Sequence, residues 1–258
     1  MALIKCDFFS DVLGMSSSMH VIIPQQNTQQ IGMDGIKESP DKFPCLLLLH
    51  GLSDDDSIWL RRTSIERYVS SLGLAVVMPN VHRSFYSNMK HSHDYWKFIS
   101  EELLQIARSF FPLSDKHEDN FVAGLSMGGY GAFKLALRKP ESFCAAASLS
   151  GVLDIVACLE SDKAGLLNTL QLVFGENVDI KGSEDDLMAC AEKIAATDIQ
   201  PALYQCCGRD DFLYEDNIKF RDHAKKLNLN LTYDEGSGMH EWGYWDTQIQ
   251  KVLDWLPV

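Results

Sequence analysis

Gly124-Leu125-Ser126-Met127-Gly128 follows the apolar run Asn120-Phe121-Val122-Ala123, and a helix-permissive segment, Tyr130 to Arg138, comes directly after it. A serine between two glycines, leaving a strand and entering a helix, is the nucleophile-elbow pattern. The spacing has a steric cause. Holding the serine side chain clear of its own backbone requires a tight, strained turn in which a Cβ at either flank would clash. The competing reading is an ordinary strand-to-helix turn capped by Ser126, because serine is also a favoured N-cap. An alcohol is a weak nucleophile, so the chemical reading also requires a base and an oxyanion site elsewhere in the chain.

Outward from this turn, the apolar runs Pro44–Leu49, Leu74–Met78, Phe121–Leu125 and Phe143–Leu149, with Ala202–Cys206 and Leu229–Tyr233 after them, read as strands. Near-continuous apolar character suits parallel strands covered on both faces. Helices are predicted between them, over Asp94–Phe111, Tyr130–Arg138, Glu184–Ala196, Asp216–Leu227 and Tyr244–Leu256. The first of these places Tyr95, Ile99, Leu103, Ile106 and Phe110 at helical spacing. This alternation predicts an α/β doubly wound, mostly parallel sheet with helices on both faces. Leu3–Ser10 and Ser18–Pro24, folded about Gly14, predict an antiparallel pair at its N-terminal edge.

Gln25–Lys42, rich in Gln, Asn and Gly, is expected to be an exposed hairpin loop, and Asn80–His93 is polar and aromatic. Val152–Gly182 is expected to carry one or two short helices using Leu166, Leu167, Leu170 and Val173. It falls after the strand that follows the elbow, where a cap or lid (152–182) can be inserted. Repeats, heptads and linker compositions are missing, so a single domain over 1–258 is expected.

Bulk properties exclude several classes. The 258 residues carry a formal net charge of −13, without a basic stripe interleaved with aromatics, which argues against a nucleic-acid partner. There is no run of about 18 apolar residues, so no membrane association is expected. Seven cysteines, an odd number, contain neither a C-x-x-C pair nor zinc-like Cys/His spacing. A reduced, cytoplasmic chain without a structural metal is the expectation.

The base and acid come late in the chain. Cys206-Cys207-Gly208-Arg209-Asp210-Asp211-Phe212-Leu213 runs off a predicted strand, and His240 lies past the next one, before the last helix. Ser126, an aspartate at 210 or 211, and His240 therefore occur in the α/β-hydrolase order, each on a loop at the carboxyl end of a strand. Asp211 is preferred because Phe212-Leu213 can anchor its loop in the core; Asp210 is better explained as a turn residue. Among the other histidines, His20, His117 and His223 read as surface or packing residues, and His82, His91 and His93, in the polar-aromatic loop, as either exposed or lining a cleft. The upstream turn Leu49-His50-Gly51-Leu52-Ser53-Asp54 supplies one oxyanion donor, the Leu52 amide; the Met127 amide, next after the nucleophile, is the other. His50 is expected to shape that turn rather than titrate in the reaction.

These residues resemble the esterase D family of α/β-hydrolases, which includes S-formylglutathione hydrolases and short-chain carboxylesterases, with the tributyrin esterase branch the nearest. The resemblance rests on Leu48-Leu49-His50-Gly51 with Trp59-Leu60-Arg61-Arg62-Thr63, and on Met78-Pro79-Asn80 with Arg83-Ser84-Phe85-Tyr86. It continues through Gly124-Leu125-Ser126-Met127-Gly128-Gly129-Tyr130-Gly131-Ala132, Cys207-Gly208 with Asp211-Phe212-Leu213-Tyr214, and His240-Glu241-Trp242 with Trp245. It implies a Ser126–Asp211–His240 triad, oxyanion donors at Leu52 and Met127, hydrolysis of small acyl esters, no metal or organic cofactor, and frequent oligomers. Trp59, Arg83, Phe85, Tyr86, Trp96 and Trp242 are the candidates for the pocket wall. Two departures stand out: the long Gln25–Lys42 loop, and Asp54-Asp55-Asp56, which would disfavour anionic acyl groups if it faces the cleft. Alternatives are an S-formylglutathione hydrolase or related thioesterase, an acyltransferase, and a non-catalytic binding protein on the same fold.

Overall fold

The computed structural model describes the chain except residues 27, 28, 30, 33, 34, 37 and 162–164. Eight strands form one sheet in the order β1-β2-β4-β3-β5-β6-β7-β8. They are β1 (Ala2–Ser10), β2 (Met15–Ile23), β3 (Cys45–Leu49), β4 (Ala75–Pro79), β5 (Asn120–Leu125), β6 (Ala145–Leu149), β7 (Ala202–Gly208) and β8 (Leu231–Gly236). β1 and β2 are antiparallel, and β2 joins β4 antiparallel. From β4 to β8 every pairing is parallel. The expected antiparallel N-terminal edge is present. Its turn is held by Glu102, whose carboxylate accepts from the Ser10 hydroxyl and from the Asp11 and Val12 amides.

The apolar runs of β3 to β7 are continuous because each of these strands feeds two cores, whereas the edge strand β8 has no fully buried residue. In β3, Cys45, Leu47 and Leu49 face one side, while Leu46 and Leu48 face the other. The first side is covered by α3 (Tyr95–Lys97), α4 (Leu103–Phe110), α5 (Met127–Arg138), α6 (Ile155–Ser161), α7 (Leu167–Phe174), α8 (Leu187–Ala195) and α9 (Tyr214–Lys226). The second is covered by α1 (Ile58–Arg62), α2 (Ile65–Tyr68) and α10 (Trp242–Trp255). At five and four residues, α1 and α2 are too short to show a periodicity.

The stripe expected along Asp94–Phe111 holds at Tyr95, Ile99 and Leu103 but fails at Phe110, which is 57% exposed. Phe98–Glu102 is a π-helical turn joining α3 to α4. It widens the turn, so a stripe counted at 3.6 residues drifts off the buried face, and Ala107 takes the inward position.

The expectation for Gln25–Lys42 falls partly outside the described residues. Within it, Ile31 is exposed, whereas Ile36 is buried and bridges Gln26. The expected short helices of Val152–Gly182 are α6 and α7, with 162–164 between them outside the described residues. Among the described residues no helix is long and apolar enough to cross a membrane.

Candidate active site

The parallel register assembles the site. Leu49 pairs with Gly124, so the turn leaving β3 lies beside the turn leaving β5; Gly208 pairs with Gly236, so the turns leaving β7 and β8 are neighbours. Ser126 follows β5 with φ +53° and ψ −117°, a backbone that bulky residues rarely adopt. It stands at the N-cap position of α5, but its hydroxyl makes no capping bond. Ser126 Oγ instead lies 2.9 Å from His240 Nε2, and His240 Nδ1 lies 2.9 Å from Asp211 Oδ2.

Tight backbone contacts hold these turns. A Cβ on Gly128 would lie 2.6 Å from the Leu49 carbonyl oxygen and 2.7 Å from that of His50. α5 can therefore approach β3 only through glycine. Gly128→Ala is expected to destabilise the protein by on the order of 3 kcal/mol, because two backbone carbonyls cannot step aside as side chains do; thermal unfolding measures this. On the other side, the Asp210 amide donates to the Gly238 carbonyl at 3.1 Å and the Arg209 amide to the Gly236 carbonyl at 2.9 Å. The acid-bearing and imidazole-bearing loops are thus joined through main chain.

Asp211, not Asp210, faces the imidazole. Its side chain is fully buried, its second oxygen accepts from the Leu213 amide at 2.9 Å, and Asp210 is exposed. The expected anchor is only half present. Leu213 is buried, but Phe212 is 53% exposed and packs on the His240 ring at 4.6 Å. Trp245 meets the same ring edge-on at 4.8 Å, so the imidazole is held between two aromatics. Neither contact leaves a signal in sequence spacing.

His50 does not titrate near neutrality. Val81 N–H can only donate, so Nε2 accepts it at 3.1 Å and the proton sits on Nδ1, which donates to the Gly51 carbonyl at 2.7 Å. Burial pushes its pKa down to about 4, from an ordinary 6.5. Below pH 6.5 the unfolded chain takes up this proton while the fold does not. Stability from this group is therefore present above 6.5 and lost as pH falls toward 4, by about 3 kcal/mol in full. Urea unfolding of His50→Gln is expected to show a correspondingly weaker dependence on pH across that window than the wild type.

A cavity of about 510 Å³ opens over Ser126 and His240. Leu52 and Met127 line it beside Ser126, and Met127, as the first residue of α5, has an amide with no intrahelical acceptor. Phe85, Val152, Leu166, Phe212 and Trp242 make most of the remaining wall apolar. Val152 and Leu166 flank α6, so the segment inserted after β6 forms one side.

Of the six pocket candidates, Phe85 and Trp242 line this cavity and the other four do not. Trp59 is buried behind it, its Nε1–H on the Leu49 carbonyl at 3.0 Å and its ring edge-on to Trp242. Tyr86 is fully buried, its hydroxyl donating to the His50 carbonyl at 2.9 Å. Arg83 points into an adjoining groove and donates to Thr169 Oγ1 at 2.7 Å. Trp96 packs under the Arg138 guanidinium instead of reaching the cavity. Aromatic residues near a motif are more often core than wall, and three of these are.

The acidic run divides three ways. Asp55 accepts from the amide and hydroxyl of Ser57. Asp56 pairs with His20 at 3.1 Å. Asp54 alone lines the cavity, where burial raises its pKa.

A hydroxyl, an imidazole and a buried carboxylate in one hydrogen-bonded chain, at the carboxyl edge of a doubly wound sheet, can move a proton off a nucleophile. This is the α/β-hydrolase fold. Residues 36–256 match the Esterase family model, and the chain belongs to that family. It resembles an acetyl esterase of Caldicellulosiruptor saccharolyticus, with 29% identity over 99% of this chain and 98% of the relative. Two solved structures from Staphylococcus aureus are similar at 36% identity, each covering 99% of this chain and 98% of theirs. They are the substrate-bound fluorophosphonate-binding serine hydrolase FphF (TM-score 0.88) and the S-formylglutathione hydrolase FrmB (TM-score 0.84). The protein is an enzyme that hydrolyses carboxylic ester bonds.

Proposed function

We propose that the protein hydrolyses short-chain acyl esters, acetyl to butyryl, through a Ser126–His240–Asp211 triad and an acyl-enzyme. The observation that carries this reading is the chain of two 2.9 Å contacts ending on a fully buried carboxylate. As Ser126 Oγ attacks the ester carbonyl, His240 Nε2 takes its proton and then gives it to the leaving alcohol. Asp211 keeps the other proton on Nδ1 and stabilises the imidazolium. The Leu52 and Met127 amides receive the oxyanion. Water, activated by the same imidazole, then releases the acid.

A largely apolar cavity of about 510 Å³ supports small neutral esters, since this size suits a small ligand rather than a long acyl chain with a bulky alcohol. The likeness to FrmB favours a second reading, a thioesterase acting on S-formylglutathione. Glutathione is anionic, and Asp54 on the cavity wall weighs against it. None of the seven cysteines is joined in a disulfide, which supports a reducing, cytoplasmic setting. The test combines two measurements. Turnover of p-nitrophenyl acetate and butyrate is expected to exceed that of S-formylglutathione, and a fluorophosphonate probe is expected to label the peptide carrying Ser126. Faster thioester turnover would favour the second reading; no turnover and no label would return the protein to a binding role.

A further inference from the structure

Lys134 lies two turns beyond Ser126 along α5, and its side chain is fully buried. Its ammonium donates to the Asp185 carboxylate, to Ser87 Oγ at 2.6 Å and to the Tyr86 carbonyl at 3.1 Å. That uses all three N–H groups. The Trp96 and Tyr130 rings stand 5.0 and 5.4 Å from Nζ, within cation–π range. A charge this enclosed is costly to desolvate, and a methionine of similar shape would pack there without that cost. The proton relay does not touch it.

Its reach toward the site runs through Tyr86. Phe85 and Tyr86 both have left-handed backbone, φ +50° and +51°, which is unusual for bulky side chains. Such a conformation persists where its surroundings over-determine it. Here Lys134 holds the Tyr86 carbonyl, Ser84 Oγ accepts the Tyr86 amide at 3.2 Å, and the Tyr86 ring fills the space where a Cβ on Gly131 would fall. The resulting backbone aims the phenol at the His50 carbonyl, 2.9 Å away. His50 in turn holds the Gly51 carbonyl through Nδ1. The planar peptide that carries this carbonyl also carries the Leu52 N–H, so fixing one end directs the other.

We propose that Lys134 is a positioning residue for the oxyanion site: by fixing the Tyr86 backbone it keeps the Tyr86 hydroxyl on His50, and through His50 it sets the direction of the Leu52 N–H. This rests on Leu52 being an oxyanion donor. One buried cation thereby ties the helix behind the nucleophile to the turn that faces it across the reacting carbonyl. A preorganised donor needs such a support, since a donor that swings at the moment of reaction contributes little.

The test measures Lys134→Met, Tyr86→Phe and the double variant on p-nitrophenyl acetate, beside the wild type and Ser126→Ala. Inhibition by a trifluoromethyl ketone, whose hemiketal with Ser126 bears an oxyanion, is read in parallel. Tyr86→Phe is expected to lower kcat about 10-fold and Lys134→Met about 10- to 100-fold, below the cost of deleting a donor outright. KM is expected to stay within about twofold and the ketone to weaken by the same factor as kcat, a pattern of lost transition-state binding. The double variant is expected to be no worse than Lys134→Met. Folded variants with kcat within about threefold of wild type, losses that multiply in the double variant, or a raised KM with unchanged kcat would each overturn the proposal. If Lys134→Met does not fold, Tyr86→Phe decides, since it removes one hydroxyl and leaves every contact of the ammonium. An inactive wild type, or an active Ser126→Ala, would instead remove the esterase site itself and this proposal with it.

Discussion

Ser126→Ala and His240→Ala are each expected to lower kcat on p-nitrophenyl acetate by about three to six orders of magnitude, with the fold retained. Alanine at 126 removes the attacking atom. Alanine at 240 leaves the hydroxyl without a base, since His240 Nε2 is the imidazole nitrogen at 2.9 Å from it. The two losses should not multiply in the double variant, because each already disables the same step. Steady-state kinetics with unfolding curves on the same samples check this. A folded His240→Ala enzyme with near wild-type kcat would end the triad reading, because no acyl transfer by Ser126 at neutral pH proceeds without a proton acceptor.

The second large effect separates two adjacent carboxylates. Asp211→Asn is expected to cost about 10³- to 10⁴-fold in kcat, and Asp210→Asn no more than about threefold. The argument is one of tautomers. The Asp211 carboxylate only accepts, so it holds the proton on His240 Nδ1 and leaves Nε2 free to receive one from Ser126. An asparagine amide can donate to Nδ1, which moves the ring proton to Nε2 and turns the base into a donor. Asp210 faces solvent and joins the site only through its backbone amide, which asparagine keeps. Kinetics across pH on both variants decide it. A larger loss at 210 than at 211 would reassign the acid.

Much of the fold was legible because the central strands are buried on both faces. A run such as Cys45–Leu49 has nowhere to place a polar side chain, so composition alone announces a strand. Where the backbone leaves regular geometry the pattern stops working. The π-helical turn Phe98–Glu102 carries Phe110 out to solvent, and α1 and α2 are shorter than any repeat can register. The turns that bring Ser126, Asp211 and His240 together were legible for a different reason. The turns after β3, β5, β7 and β8 each have local requirements, close backbone approach or a tight bend, that glycine and short polar residues mark.

The supporting groups left no such mark. Phe212, expected as an anchor, covers the imidazole, and Tyr86, expected in the pocket wall, is buried with its hydroxyl on the His50 carbonyl. Lys134 carries no local signal within the helix that bears it. Its partners Ser87 and Asp185 are 47 and 51 residues away, so no local pattern refers to them.

By itself, the chain's order of residues determined the doubly wound sheet and the loops that bear the serine, the aspartates and the histidine, since these follow from local sterics and from which segments must leave water. Only the folded arrangement decided which of two neighbouring aspartates meets the imidazole, which aromatics touch the cavity and what holds the turn after β3. Those are choices of direction, made by packing between segments as distant as those of Ser126 and His240, 114 residues apart, where a side chain faces the site or turns from it according to a partner that its own neighbourhood does not name.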